Sequence, residues 1–238
     1  MNSQLGLIIA AGAIDDCTAH RKILAGLPIE PRVYCADGGL KHAGPLGVEP
    51  CLILGDMDSA DINLINAYME RGAAFVKYPV DKDFTDTELA AERAALDGCS
   101  SILILGALGA RIDHTFTNIQ LMYKYALRGV RIALADTYGA ASALIPGVCM
   151  RIARDKPIAS LLGYMDESCS EAMYKNPKIS ILPLGGAVRG ARATGLKYPL
   201  NADEIEPFYT TGVSNEFTDP IAQITIEEGA ALIMICAD

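Results

Sequence analysis

Six short apolar runs, at residues 5–10, 32–36, 51–54, 74–78, 101–105 and 130–135, punctuate the first 135 residues of the chain. They are rather uniformly apolar, not alternating, which is the pattern of strands covered on both faces. The stretches between them read as helices. Residues 59–72 open with the capping candidates Ser59 and Asp61 and close at Gly72. Residues 85–98 open with Thr85 or Asp86 and close at Gly98. Residues 113–129 space Phe116, Ile119, Met122 and Tyr123 along a helical face and end at Gly129. Strand and helix alternating over this length predict an open parallel sheet with helices on both faces.

The character changes at Ile145-Pro146-Gly147. Beyond it the segments 178–186, 194–200 and 221–235 read as strands, the last as a hairpin about Glu227-Glu228-Gly229. One weak helix is expected at 167–174. The predicted fold is α/β: an N-terminal parallel-sheet, Rossmann-like domain (1–145), then a smaller C-terminal all-β sandwich (146–238). No fixed-period repeat or low-complexity segment interrupts either part.

Composition limits what such a fold can do. Hydrophobic residues are 51% and charged residues 21% of 238, the balance of an ordinary soluble protein. No apolar run has bilayer length. The N-terminus lacks a basic leader and turns acidic at Asp15 and Asp16, so a cytoplasmic protein is expected. A net charge of −9 argues against a nucleic-acid partner. An acidic protein that binds a polyanion such as ATP requires a divalent cation between the two. The seven cysteines include no CxxC pair, and Cys35 and Cys51 sit in apolar runs as small core residues. His20, His42 and His114 lack zinc-site spacing.

Four segments place polar residues directly after apolar runs, where open α/β sheets bind ligands. Asp37-Gly38-Gly39 puts a carboxylate at a strand end, with glycines that let a ligand approach the backbone. Asp56 and Asp58, two residues apart, can reach one hard cation, and Ser59 begins the next helix. In 81–88, Thr85 and Asp86 suit a helix start, whereas Lys82 is a cation where the helix dipole disfavours one; a phosphate partner explains it better. In 106–114, Gly106 and Gly109 permit a tight loop, Arg111 offers a fork of donors, and Asp113 starts a helix. His114 reads as a structural hydrogen-bonding residue before a general base.

These segments, in this order, resemble the thiamine pyrophosphokinase family, whose pattern runs ADGG, GDxDS, K-D-x-T-D, then GxxGxRxDH with an asparagine on the following helix. Here they are Ala36 to Gly39, Gly55 to Ser59, Lys82 to Asp86, Gly106 to His114, and Asn118. Gly195-Leu196-Lys197-Tyr198-Pro199-Leu200 and Gly212-Val213-Ser214-Asn215-Glu216-Phe217 match the C-terminal part. The resemblance implies transfer of the pyrophosphoryl group of ATP to the hydroxyl of thiamine, with Mg2+, in a homodimer whose sites lie at the subunit junction. It implies Asp56, Asp58 and Asp86 as metal ligands. Asp37, Gly38, Gly39, Thr85, Gly106, Gly109 and Asn118 fall at the nucleotide site, and Lys82, Arg111 and Asp113 join the catalytic set. Ser214 and Asn215 correspond to the thiamine-binding segment. Two departures stand out: Ala110 replaces a second glycine, and no tryptophan is present to stack on a pyrimidine, leaving Tyr, Phe or nothing for that place. Either Asp86 or Asp113 is available to take the hydroxyl proton. The competing readings are a DxD-type metal-dependent nucleotide-sugar transferase, which has no use for the C-terminal segments, and a non-catalytic nucleotide sensor.

Overall fold

The structure, a computed structural model, describes residues 4–56, 61–109, 111–165 and 174–238. The first part runs β1 (Gln4–Ile9), α1 (Cys17–Ala25), β2 (Arg32–Ala36), a 3-10 helix (Asp37–His42) leading into α2 (Ala43–Leu46), β3 (Leu52–Gly55), α3 (Ile62–Glu70), β4 (Ala74–Lys77), α4 (Asp86–Leu96), β5 (Cys99–Leu105), α5 (Ile112–Ala126) and β6 (Arg131–Ala135). β1 to β6 are parallel neighbours in the order β4-β3-β2-β1-β5-β6. All six expected strands are present within a residue or two of their expected limits.

The uniformly apolar runs are explained by what covers them. On one face, Leu5, Leu7 and Ile9 of β1 join Ile23 of α1, Leu40, Leu46 of α2 and Ile65 and Tyr68 of α3. On the other, Ile8 joins Ala90, Ala91 and Ala94 of α4 and Leu121, Met122 and Tyr125 of α5. β4 is the edge strand, and its burial falls accordingly.

The chain continues through β7 (Gly139–Leu144), β8 (Met150–Ala153), α6 (Pro157–Leu161), β9 (Lys178–Pro183), β10 (Val188–Thr194), β11 (Leu200–Ile205), β12 (Asn215–Glu216), β13 (Ile221–Thr225) and β14 (Ala231–Cys236). β7 pairs antiparallel with β6 and extends the first sheet through β14 and β9 to β12, giving ten strands. β11-β10-β13-β8 form a separate four-stranded antiparallel sheet. The fold is therefore mixed α/β: a large, mostly parallel sheet with a smaller antiparallel one. The position expected to divide the chain, 145/146, falls between β7 and β8, one in each sheet.

Two sequence expectations are corrected. Residues 221–235 are not a hairpin, because β13 and β14 belong to different sheets. The turn is held instead by β10: Glu227 N donates to Arg189 O at 2.9 Å, and Arg189 N donates to Glu228 O at 3.1 Å. The burial patterns agree, since β13 alternates whereas β14 is almost wholly buried. Residues 194–200 are not a strand; they mostly link β10 to β11, with Leu196 forming a lone bridge to Phe217. Of the helix expected at 167–174, all but Tyr174 lies outside the described residues. Tyr174 is buried and donates its hydroxyl to Asp136 O at 2.7 Å.

The sheet order reverses between β1 and β5. There the loop leaving β1 meets the loop leaving β5: Ala10 N donates to Leu105 O at 2.9 Å and Gly12 N to Gly106 O at 3.0 Å. A Cβ on Gly12 would stand 2.3 Å from Gly106 O, so the backbones are as close as glycine permits. Gly12→Ala is expected to cost about 1–3 kcal/mol by overpacking against rigid backbone. Gly186→Ala, with no atom within 4 Å of its added methyl, is expected to be near neutral. Equilibrium denaturation of the two variants checks the contrast.

Candidate functional site

A cavity of about 530 Å³ opens at the carboxyl ends of β1 and β5. Its walls are the loop 10–13 after β1, the start of the 3-10 helix after β2, the N-terminus of α4, and the loop 106–109 with the first turns of α5. This is the crevice in which open α/β sheets hold ligands.

The acidic residues gather at one side of it. Asp37 begins the 3-10 helix at φ 45°, and its Oδ1 is buried without a hydrogen-bond partner. Gly55, the last residue of β3, leaves the space for it: a Cβ there would lie 3.0 Å from Asp37 Oδ1. Asp56 follows at once. Lys82 Nζ stands 3.8 Å from Asp56 Oδ2 and 3.1 Å from Asp86 Oδ1, and donates to Pro79 O at 3.3 Å. The Lys82 side chain is only 13% exposed, so its ammonium is a built part of the cluster. Asp86 is the first residue of α4, whose N-cap is Thr85; Thr85 Oγ1 accepts from Glu88 N at 3.1 Å. Burial raises the Asp86 pKa, Lys82 opposes this, and the Asp37 and Asp56 charges push it further up. Asp37, Asp56 and Asp86 therefore share one electrostatic site. Asp86 Oδ1 is buried, and its partner is the Lys82 ammonium, at ion-pair distance.

Asp58 and Ser59 lie outside the described residues. Among the described residues, no three His, Cys, Asp or Glu side chains form a metal-binding group on their own. The residues present nonetheless fit a hard cation. The buried Asp37 Oδ1 has no hydrogen-bond donor and Asp86 Oδ1 is met only by the Lys82 ammonium, and Mg2+ commonly takes one or two carboxylates with its remaining positions filled by phosphate and water.

At the start of α5, Arg111 lines the cavity, with Asp113 beside it. Arg111 Nε donates to Asp113 Oδ1 at 3.1 Å, and Nη2 donates to Oδ2, in an exposed fork at the start of α5. Arg111 first, and then the His114 backbone N–H, hold the Asp113 pKa down to about 2. Gly106 and Gly109 take φ of 68° and 105° and shape the loop between β5 and α5. Asn118, buried, donates Nδ2 to Ala107 O at 2.9 Å and ties that loop to α5. Gly38 and Gly39 lie in the 3-10 helix, where Gly39 packs on the Ile9 carbonyl. His114 and Thr115 face the cavity as well.

Ser214 and Asn215 are elsewhere. Asn215 lies in β12, five strand steps from β5 across the sheet, or roughly 24 Å at the usual spacing. Its side chain is committed locally: Oδ1 accepts from Tyr198 N at 3.1 Å and Glu216 N at 2.9 Å, and Nδ2 donates to Tyr198 O at 2.6 Å. Ser214 takes φ 57° and donates its backbone N–H to Ser180 Oγ at 3.0 Å. Beside them Tyr198, Phe208, Tyr209 and Val213 are exposed. One chain thus assembles the acidic and Arg111 sides of the cavity but not the C-terminal segment.

Sequence reasoning missed Lys41 and the loop 10–13, both of which line the cavity. The loop, Ala-Ala-Gly-Ala, carries no polar side chain to mark it. Lys41 stands beyond the glycines, on the 3-10 helix.

Comparison with known proteins gives this arrangement a family. The family model described as thiamin pyrophosphokinase, catalytic domain, matches residues 29–134, and the one described as thiamin pyrophosphokinase, vitamin B1 binding domain, matches residues 168–231. Thiamine pyrophosphokinase of Bacillus subtilis (strain 168) is 30% identical over 189 residues, covering 79% of each chain. Thiamine pyrophosphokinase 2 of Arabidopsis thaliana is 26% identical over 222 residues, covering 84% of this chain and 75% of the relative. Among solved structures, that of thiamine pyrophosphokinase from Bacillus subtilis superposes with a TM-score of 0.79 at 24% identity, over 99% of this chain and 100% of the other. The thiamin pyrophosphokinase from Candida albicans gives 0.76 at 17% identity, over 99% and 90%. The solved structures establish a shared mixed α/β fold. The sequence matches go further, and the chain belongs to the thiamine pyrophosphokinase family.

Asn118→Leu leaves the buried Ala107 carbonyl without its donor and is expected to destabilise the fold by about 1–3 kcal/mol. Chemical denaturation measures the loss, and faster amide exchange in the 106–109 loop is expected to accompany it.

Proposed function

We propose that the protein is a thiamine diphosphokinase, transferring the pyrophosphoryl group of ATP to the hydroxyl of thiamine to give thiamine diphosphate and AMP. The observation that carries this reading is the cavity at the β1/β5 reversal, lined by Asp37, Asp86 and Arg111, with Asp56 and Lys82 clustered on Asp86. Family membership supplies the substrates. Residues 1–145 form the Rossmann-like part that takes ATP and metal, and residues 146–238 the sandwich that takes thiamine and a second subunit. The reading places the enzyme in the cytoplasm; among the described residues no helix is long and apolar enough to cross a membrane.

In the reaction the thiamine hydroxyl oxygen bonds to the β-phosphorus while the bond from that phosphorus to the α–β bridging oxygen breaks. AMP leaves with that oxygen, and the hydroxyl proton passes to a carboxylate of the site, Asp86 or Asp113. Such transfers pass through loose transition states, so positioning and charge neutralisation supply most of the rate. Asp56, Asp58 and Asp86 would hold Mg2+, which neutralises phosphate charge when bound. Asp37, Gly38 and Gly39, with Thr85, Gly106, Gly109 and Asn118, shape the nucleotide pocket. Lys82 turns its ammonium from the carboxylates to the phosphates, and Arg111 offers its fork from the start of α5. Asp113, held ionised by Arg111, is a weak proton acceptor, so its larger role is to orient Arg111. Ser214 and Asn215 meet the thiamine of the partner subunit's site, because in their own chain they stand roughly 24 Å along the sheet from the crevice. The exposed Tyr198, Phe208 and Tyr209 beside them offer aromatic surface where the chain has no tryptophan.

Asp56→Asn is expected to lower turnover by about two orders of magnitude. Its melting temperature should stay the same or rise, since a like charge leaves a crowded cluster. Near-normal turnover in the purified variant would remove Asp56 from the site. Shared sites are tested by mixed dimers in which one subunit carries Asp56→Asn and the other Ser214→Ala with Asn215→Ala. Recovery of about half the normal activity, from one complete site of two, is the expected result. A heterodimer as inactive as both homodimers would confine each site to one chain.

A further inference from the structure

The cavity contains a cation that the reading above does not use. Lys41 lies on the 3-10 helix, four residues after Asp37, and lines the crevice. Its Nζ donates one long hydrogen bond, 3.3 Å, to Ala11 O in the loop after β1. Among the described residues no carboxylate lies within ion-pairing distance of it. The other cations at the site are spent: Arg111 is forked onto Asp113, and Lys82 is held between Asp56 and Asp86. Lys41 is thus the cavity-lining cation with positive charge to offer at no cost to an existing ion pair.

Its position adds a second argument. Leu40 packs into the core on the α1–α3 face of the sheet, whereas α4 and α5, which bring Asp86 and Arg111, cover the opposite face. A phosphate chain lying in the crevice with Arg111 on one flank faces the 3-10 helix on the other. An ammonium bound only to a carbonyl at 3.3 Å gains by exchanging that contact for an anionic oxygen, since charge-assisted bonds to phosphate are shorter and roughly twice as strong.

We infer that Lys41 is a nucleotide-binding residue that takes a phosphate oxygen of ATP from the side of the sheet opposite Arg111. This rests on the ATP-dependent reading of the same cavity. It assigns Lys41 to ground-state binding of the nucleotide, whereas Lys82 is assigned to the charge that develops in transfer.

The test is Lys41→Met beside Lys41→Arg, with ATP binding measured calorimetrically in Mg2+ and steady-state kinetics with each substrate varied separately. Lys41→Met is expected to weaken ATP about tenfold or more and raise the KM for ATP in step, while kcat and the KM for thiamine stay within about twofold. Lys41→Arg should restore most of the affinity. Inorganic tripolyphosphate, the second probe, should lose affinity in the same proportion, because the contact is to phosphate. The side chain is exposed, so the melting temperature of the free protein should not move. Unchanged ATP and tripolyphosphate binding in Lys41→Met, with the wild-type protein binding both, overturns this inference alone. Failure of the wild-type protein to bind ATP overturns the underlying reading and this inference with it.

Discussion

The reversal of strand order between β1 and β5 is the constraint on which the rest depends. On one side of it the chain steps outward through β2, β3 and β4 with its helices on one face; on the other it steps through β5 and β6 with α4 and α5 on the opposite face. The loops leaving β1 and β5 therefore part to opposite sides, and a crevice opens between them. The closeness of Gly12 to Gly106 fixes its floor. Apart from Asn118, which lies within α5, the described candidate residues of the first part reach this crevice or its margin from the loop after a strand or the start of the helix that follows.

Electrostatics at the crevice is arranged in opposition to the chain as a whole. A protein with net charge −9 repels a polyanion, yet here it concentrates Asp37, Asp56 and Asp86 further. The concentration is tolerable in the free protein because Lys82 stands between two of the carboxylates. Such a cluster is suited to exchanging an internal cation for a divalent one that arrives with phosphate. Arg111 and Asp113 make the same bargain on the rim, where solvent lowers the cost of opening the pair.

Much of this was legible in the sequence, for a physical reason in each case. The parallel strands declared themselves because, the edge strand β4 apart, both faces are largely buried, which confines polar residues such as Arg32, Ser101 and Arg131 to the starts of the runs. The acidic and glycine-rich segments declared themselves because they interrupt those runs where a strand ends. α1 was not read, although Asp16 caps it through Ala19 N, because its nine residues bury only His20 and Ile23 and so show little apolar periodicity. The false hairpin at 226–230 arose because a turn signal does not say whether its arms pair with each other. β10 supplies the competing partner, and only tertiary structure reveals it. Lys41 was missed because its place in the cavity wall depends on which side of the sheet the 3-10 helix lies, a property no local pattern carries.

The second half of the chain extends the first sheet instead of standing apart from it, and so carries Ser214 and Asn215 to the far edge of one continuous surface. On the function proposed above, that separation assigns thiamine recognition to two chains and nucleotide recognition to one. On the proposed function the crevice moves a pyrophosphoryl group in one step. Phosphorus NMR of a reaction of ATP, Mg2+ and thiamine is the decisive measurement. AMP and thiamine diphosphate should rise together in equal amounts, with no reaction when thiamine is left out. ADP with thiamine monophosphate as products, or nucleotide turnover indifferent to thiamine, would contradict it.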